Sequence, residues 1–192
     1  MKTIGLFGLT FQSGNKGCSA LAYSFLEILN KCVKEEMQII VFSYLQNEKI
    51  VGYEEKLNIE IRPFSLNGIK NIKNLNAQIK NCDIVFDFTE GDSFSDIYGI
   101  KRAVKVSLTK EMTIGNNVPL VLGPQTYGPY YNLFIKKWAK RIVKKSYYAC
   151  ARDMTSSERM EKITKKKMDY YTDIAFVLPA DDKNHQMSNR KK

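Results

Sequence analysis

Hydrophobic and polar positions along this chain follow two alternating patterns. Short, nearly continuous apolar runs recur at residues 3–9 (TIGLFGL), 38–43 (QIIVFS), 83–88 (DIVFDF), 119–122 and 147–151. Runs of that length and content predict strands buried on both faces of a parallel sheet. Between them the apolar residues fall at helical spacing. Leu21, Phe25, Ile28, Leu29 and Cys32 share one face of a helix predicted over residues 18–33, and Ile100, Ala103, Val104 and Leu108 mark one face of another. Residues 69–79 and 155–164 predict two shorter helices. The clearest helical pattern lies at 132–145, where Ile135, Trp138, Ala139, Ile142 and Val143 form an apolar stripe. Lys136, Lys137, Lys140, Arg141, Lys144 and Lys145 occupy the other face. Residues 58–62 read as a strand ended by Pro63, residues 123–130 as a loop, and residues 174–178 as the last strand.

Strand–helix alternation of this kind predicts an α/β fold with a doubly wound, mainly parallel, Rossmann-like sheet. Residues 1–178 read as one domain. Residues 179–192 have almost nothing to bury and read as a disordered polar tail.

Composition refines the picture. The 192 residues suffice for one sizeable core. No segment approaches the ~18 consecutive apolar residues of a membrane helix. The apolar start is interrupted by the polar residues 12–15 and reads as a buried strand, not a signal peptide. Cys18, Cys32, Cys82 and Cys150 form no CxxC pair, which excludes a zinc ribbon or a thioredoxin-type motif. Reduced thiols in a cytoplasmic protein are the simplest account. The net charge of +10 is concentrated in the last third: residues 1–130 carry 14 Lys/Arg against 13 Asp/Glu, and residues 131–192 carry 16 against 7. That asymmetry fits first a solvated helical face, and also nucleic acid, an anionic membrane or an anionic substrate. Nucleic acid is not expected, because the basic residues are not interleaved with aromatic ones.

In doubly wound sheets ligands bind beyond the carboxyl ends of the strands, so the polar residues directly after each strand are the candidates for chemistry. Residues 12–19 (QSGNKGCS) carry Asn15 and Gly17 into a helix amino terminus, either an anion or hydroxyl site or an ordinary turn with its cap. The segment lacks the spacing of a P-loop or of the dinucleotide GxGxxG. Residues 89–96 (TEGDSFSD) bring Glu90, Asp92, Ser93 and Asp96 together, so that with Asp87 four carboxylates fall within ten residues. Carboxylates there suit sugar hydroxyls, a general base, a hard divalent cation or a helix cap. Residues 123–129 (GPQTYGP) fix a shaped loop that offers Gln125 and Tyr127. After the strand at 147–151 come Arg152 and Asp153, an anion-recognising guanidinium beside a cap or ion-pair partner.

Together these segments resemble the polysaccharide pyruvyl transferase family over residues 3–178. The loop SGNKGCSAL is similar to the family's Asn-x-Gly loop opening the first helix. EGDSFSDIYG at 90–99 is similar to its glycine-and-acid loop. GPQTYGP at 123–129 and ARDMTSS at 151–157, followed by TDIAF at 172–176, complete the order. The resemblance implies one half of a two-domain, GT-B-like transferase. Its implied reaction moves a pyruvyl group from phosphoenolpyruvate, as donor substrate, to a sugar or lipid-linked saccharide acceptor of a cell-surface polysaccharide or its precursor. No cofactor and no metal is required.

Chains of that family carry two such domains, and this one spans the length of one. The basic residues and histidine tied to the phosphoenolpyruvate site lie mainly in the family's second domain, and the single histidine here is His185 in the tail. The expectation is therefore an incomplete enzyme with a separate carboxy-terminal half, with a non-catalytic sugar-binding module or a subunit of a split enzyme as the alternative. Asn15, Gly17, Glu90, Asp92, Ser93, Asp96, Gln125, Tyr127, Arg152 and Asp153 are the expected cleft-lining residues, with Asp92 the candidate to polarise the acceptor hydroxyl. The lysines of 132–145 add an expectation of peripheral membrane contact.

Overall fold

The computed structural model describes residues 1–33, 35–53 and 57–178; the expected tail, with His185, lies outside them. Among the described residues seven parallel strands form one sheet. They are β1 (Lys2–Phe7), β2 (Met37–Ser43), β3 (Asn58–Pro63), β4 (Ile84–Asp87), β5 (Leu120–Gln125), β6 (Tyr148–Ala151) and β7 (Asp169–Tyr170). The order across the sheet is β3-β2-β1-β4-β5-β6-β7. The chain thus runs outward from β1 in one direction, crosses back, and runs outward from β4 in the other. The reversal between β1 and β4 is the topological switch point, where such sheets open a crevice beyond their carboxyl ends.

Five α-helices of the described residues cover the two faces: α1 (Lys16–Cys32), α2 (Ile69–Lys80), α3 (Ile100–Gly115), α4 (Leu133–Lys145) and α5 (Met154–Thr164). On one face Leu21, Ala22, Phe25, Leu26 and Leu29 of α1 pack on Ile4, Leu6, Ile39 and Val41. On the other, Leu75 and Ile79 of α2, Ala139 and Ile142 of α4 and Met160 of α5 pack on Phe7, Ile40, Phe42, Val85, Leu120 and Leu122. Alternate residues of one strand therefore feed opposite cores, which is why the strands read as unbroken apolar runs. All four cysteines are free.

Three expectations are corrected. Residues 174–178 do not form a strand: Ile174–Val177 is a short 3-10 helix, started by the Asp173 carboxylate accepting from the Ala175 amide. The last strand is instead β7, whose sequence DY is too short to show a pattern. Strand β5 continues through Gln125, so Gly123 and Pro124 are strand, not loop. Gly123 is required there because a Cβ would overlap the Phe88 ring. The third correction concerns α3. Its inward face is polar, with Ala103, Ser107, Thr109, Lys110 and Thr113 buried, while Ile100 is exposed. The helix packs over a charged strand end, and its buried Lys110 is matched to the Asp87 charge there, while Thr109 and Thr113 bond carbonyls of the helix itself.

Candidate functional site

Asp87 ends β4 and is buried. Its Oδ2 accepts from Lys110 Nζ at 2.9 Å, and its Oδ1 accepts from the Thr89 amide at 2.9 Å and the Thr89 hydroxyl at 2.7 Å. Lys110 reaches this point from α3 at 1 % exposure, and also donates to Thr89 Oγ1 at 2.8 Å and the Val106 carbonyl at 3.1 Å. Its ammonium lies 4.7 Å from the centre of the Phe94 ring. Burial pulls the Lys110 pKa below its ordinary value, and the Asp87 charge opposes that pull.

This network holds an unusual turn. Thr89, Glu90 and Gly91 have φ of 47°, 53° and 88°. Left-handed backbone is rare for a β-branched residue and persists only where the surroundings over-determine it. Here Asp87 and Lys110 hold Thr89, and the Glu90 amide donates to the Gly8 carbonyl at 2.8 Å. The turn delivers the Glu90 side chain to the mouth of the switch point, where Arg102 of α3 pairs with it.

A cavity of about 530 Å³ opens there. Phe7 at the end of β1 and Gly8 just after it, Tyr44 just after β2, Asp87, Thr89, Glu90 and Ser93 from β4 and its turn, and Tyr98, Lys101, Arg102, Lys105 and Thr109 from α3 and its approach are among its walls. Arg102 also donates to Ser93 Oγ at 2.9 Å. Of the cavity's charged groups, Asp87 is met by Lys110 and Glu90 by Arg102, whereas Lys101 and Lys105 have no ion pair among the described residues. The surplus is cationic. Helix α3 sharpens it: Gly99 offers no side-chain cap, and the first turn carries no acid. Cations in that turn oppose the helix dipole, so their position there favours an anion in the cavity over helix stability.

The four candidate segments do converge, around Gly91. The Thr126 amide donates to the Gly91 carbonyl at 2.7 Å, and a Cβ on Gly91 would stand 3.0 Å from Arg152 Nη1. Cys18 Sγ donates to the Glu90 carbonyl at 3.9 Å. The residues named from the sequence nevertheless take different places. Glu90 and Ser93 line the cavity. Asp92 is not among the lining residues but holds two of them, accepting from the Tyr98 hydroxyl at 2.7 Å and the Ser93 hydroxyl at 3.3 Å. That hydrogen bond raises the Tyr98 pKa.

Asp96 is committed elsewhere: its carboxylate accepts from the Tyr131 amide at 3.0 Å and the Asn132 amide at 2.6 Å. Asn15 caps α1 by accepting from the exposed Gly17 amide at 2.9 Å. Asp153 caps α5 through the Ser156 amide at 2.7 Å. Gln125 and Tyr127 are fully buried; Gln125 Nε2 donates to the Asp87 carbonyl at 3.3 Å. Arg152 donates to Asp173 at 3.2 Å. Among the described residues no group of His, Cys, Asp and Glu could hold a metal ion.

Tyr44, Tyr98, Lys101, Arg102, Lys105 and Lys110 were not anticipated. Tyr44 directly follows β2, so the same rule of reading past each strand end finds it. Lys101, Arg102 and Lys105 share one side of α3, a spacing visible in the sequence once the helix is oriented by its small Ala103 and Ser107.

No helix of the described residues is long and apolar enough to cross a membrane. No curated protein sequence significantly matches the chain. Among solved structures, the DNA/pantothenate metabolism flavoprotein from Streptococcus pneumoniae is similar over 81% of this chain and 83% of that one, at 11% identity and a TM-score of 0.35. The family model of polysaccharide pyruvyl transferase matches residues 15–191, nearly the whole chain, and the chain belongs to that family.

Proposed function

We propose that this domain binds the acceptor of a pyruvyl transfer in the switch-point cavity, with an anionic group of the substrate beside Lys101 and Lys105. The observation that carries the reading is the combination of one cavity, hydroxyls from Tyr44, Thr89, Ser93, Tyr98 and Thr109, and two lysines with no ion pair among the described residues. Hydroxyls and carboxylates suit a sugar, and ammonium groups suit a phosphate or carboxylate.

In the reaction, one sugar hydroxyl adds to C2 of phosphoenolpyruvate while C3 takes a proton. A second hydroxyl then displaces inorganic phosphate from the same carbon, and a cyclic ketal results. Glu90 reaches the acceptor directly and accepts from one of its hydroxyls. Asp92 acts as a positioning residue, orienting the Tyr98 and Ser93 hydroxyls toward the ligand. The donor site is completed by a second domain, supplied by a longer chain or a separate subunit, which accounts for the absence of histidine from residues 1–178.

The test is phosphate release from phosphoenolpyruvate with a panel of sugar acceptors, paired with acceptor binding followed by saturation-transfer NMR. Binding without turnover by the 192-residue chain, and turnover on adding a carboxy-terminal half, is the expected result. Turnover by the isolated chain would overturn the two-domain part, and failure of every acceptor to bind would overturn the assignment of the cavity. A non-catalytic sugar-binding module is the second reading, favoured by how fully Arg152 and Asp96 are engaged in internal contacts. Binding that persists with no turnover in any pairing is its signature.

A further inference from the structure

Five large apolar side chains stand exposed together at the carboxyl edge of the sheet. Tyr131, Leu133 and Phe134, at the start of α4, are 78%, 73% and 64% exposed. Ile97 and Ile100, at the start of α3, are also exposed. The two groups are neighbours because the Asp96 carboxylate binds the Tyr131 and Asn132 amides, which fixes one loop against the other. A core account fails for these residues. The apolar stripe that α4 buries is Ile135, Ala139 and Ile142, on the opposite side.

The outward face of α4 continues from this tip. At 100° per residue, Leu133, Lys137, Lys140 and Lys144 line up directly opposite the buried stripe. The helix contains six cations and no acid. Arg141 pairs with Glu111, and the other five have no ion pair among the described residues. Lys101 and Lys105 lie on the neighbouring helix. An aliphatic and aromatic tip followed by a stripe of unpaired lysines is the pattern of an interfacial helix, in which apolar side chains enter the acyl boundary and ammonium groups meet anionic headgroups.

We propose that the Ile97–Ile100 and Tyr131–Phe134 rim, with the outward face of α4, docks this protein on an anionic lipid surface. The charge complementarity selects lipid over a protein partner. A protein surface complementary to it would have to combine an apolar socket with a row of acids, whereas every anionic bilayer supplies both. The rim adjoins Tyr98, which lines the cavity, so docking would place the cavity mouth beside the headgroups.

The test uses the 192-residue chain and vesicles of phosphatidylcholine alone or mixed with phosphatidylglycerol, read by co-sedimentation and by emission of the single tryptophan. Trp138 lies against Phe134 with ring centres 5.5 Å apart, so its emission reports insertion at the tip. Expected are binding to the anionic vesicles and not the neutral ones, a blue shift of Trp138, and loss of binding in 0.5 M salt, as screening requires (about 0.5 M lies well beyond physiological ionic strength). L133S/F134S and K137E/K140E should each weaken binding about tenfold or more with an unchanged circular dichroism spectrum. Equal affinity for neutral vesicles, binding indifferent to L133S/F134S, association with duplex DNA in place of vesicles, or a dimer in sedimentation that the same variants dissolve would each overturn it. None of these readouts depends on transfer activity.

Discussion

Lys110 and Asp87 form an ion pair of 2.9 Å with both side chains almost wholly removed from solvent. A charge pair so placed is weak evidence of stability in itself, because desolvation offsets much of the attraction. Its visible consequence is local: both partners bind Thr89, and Thr89 is the first residue of the left-handed turn that carries Glu90. The pair fixes the geometry of the cavity from beneath.

Removing one partner should therefore be far worse than removing both. Lys110→Met leaves the Asp87 carboxylate buried and uncompensated, at a cost of about 3–5 kcal/mol. Combining it with Asp87→Asn should recover a large part of that loss, as measured by urea unfolding. Equal stabilities of the single and double variants would show that the charge is not the source.

Gly123→Ala should destabilise the domain by about 1–3 kcal/mol, the range for overpacking a filled core. The new methyl overlaps the Phe88 ring, which is buried and packed against Phe25 with ring centres 4.5 Å apart. Phe88→Leu in the same chain should restore part of the loss in thermal denaturation, and a deeper loss in the double variant would count against the steric account.

Binding of a phosphorylated sugar should fall roughly tenfold in K101M/K105M, the scale of one lost charge-assisted hydrogen bond. Binding of the same sugar without phosphate should hardly change. Titration calorimetry at two salt concentrations separates the effects, since only the charged term is screened. An equal loss for both ligands would place the lysines outside the anion's reach.

Asp96→Ala strips the partners from the Tyr131 and Asn132 amides and should cost about 1–3 kcal/mol. Asp96→Asn retains an acceptor and should lie closer to the wild type. Chemical denaturation of the two variants gives the comparison.

The buried thiols impose a pH dependence. Burial pushes Cys82 up to about 11 and Cys150 up to about 12 from an ordinary 9.0. A folded-state pKa above the unfolded one contributes stability that is complete below the unfolded value and is lost as pH rises through the folded value. The urea midpoint should thus hold near pH 8 and fall between about pH 9 and pH 12. At pH 8 iodoacetamide should modify exposed Cys32 well before Cys82 or Cys150. Mass spectrometry of the labelled chain tests the order.

Much of this architecture is written in the sequence because parallel strands covered on both faces must be apolar throughout, and β1, β2 and β4 are. Strand β7 is hidden because two residues carry no period, and the 3-10 helix at Ile174–Val177 reads as a strand because a capping Asp and an apolar run fit either element. Reading past the strand ends located the turn that holds Glu90 and Ser93. It also offers Asp153 as a helix cap, which it is, but gives no sign that Asp96 holds the Tyr131 and Asn132 amides, since a carboxylate that binds ligand and one that binds backbone amides are the same letters. The cation beneath the turn escapes the same rule for a different reason. Lys110 lies in what reads as an amphipathic helix, and only the charge of Asp87 beneath it explains an inward-facing lysine.

The β1 and β4 loops touch at Gly8, where φ is 68° and any side chain would run into the Thr89 backbone. The two positions are separated by eighty residues of chain, yet they share one volume. Drift at either is then constrained by the other: a bulkier residue at position 8 becomes tolerable only when the turn at 89–91 is rebuilt to a different shape. Across related chains, glycine at the first position and the left-handed turn at the second should be gained and lost as a unit, a covariation that distant pairs on the outer surface have no reason to show.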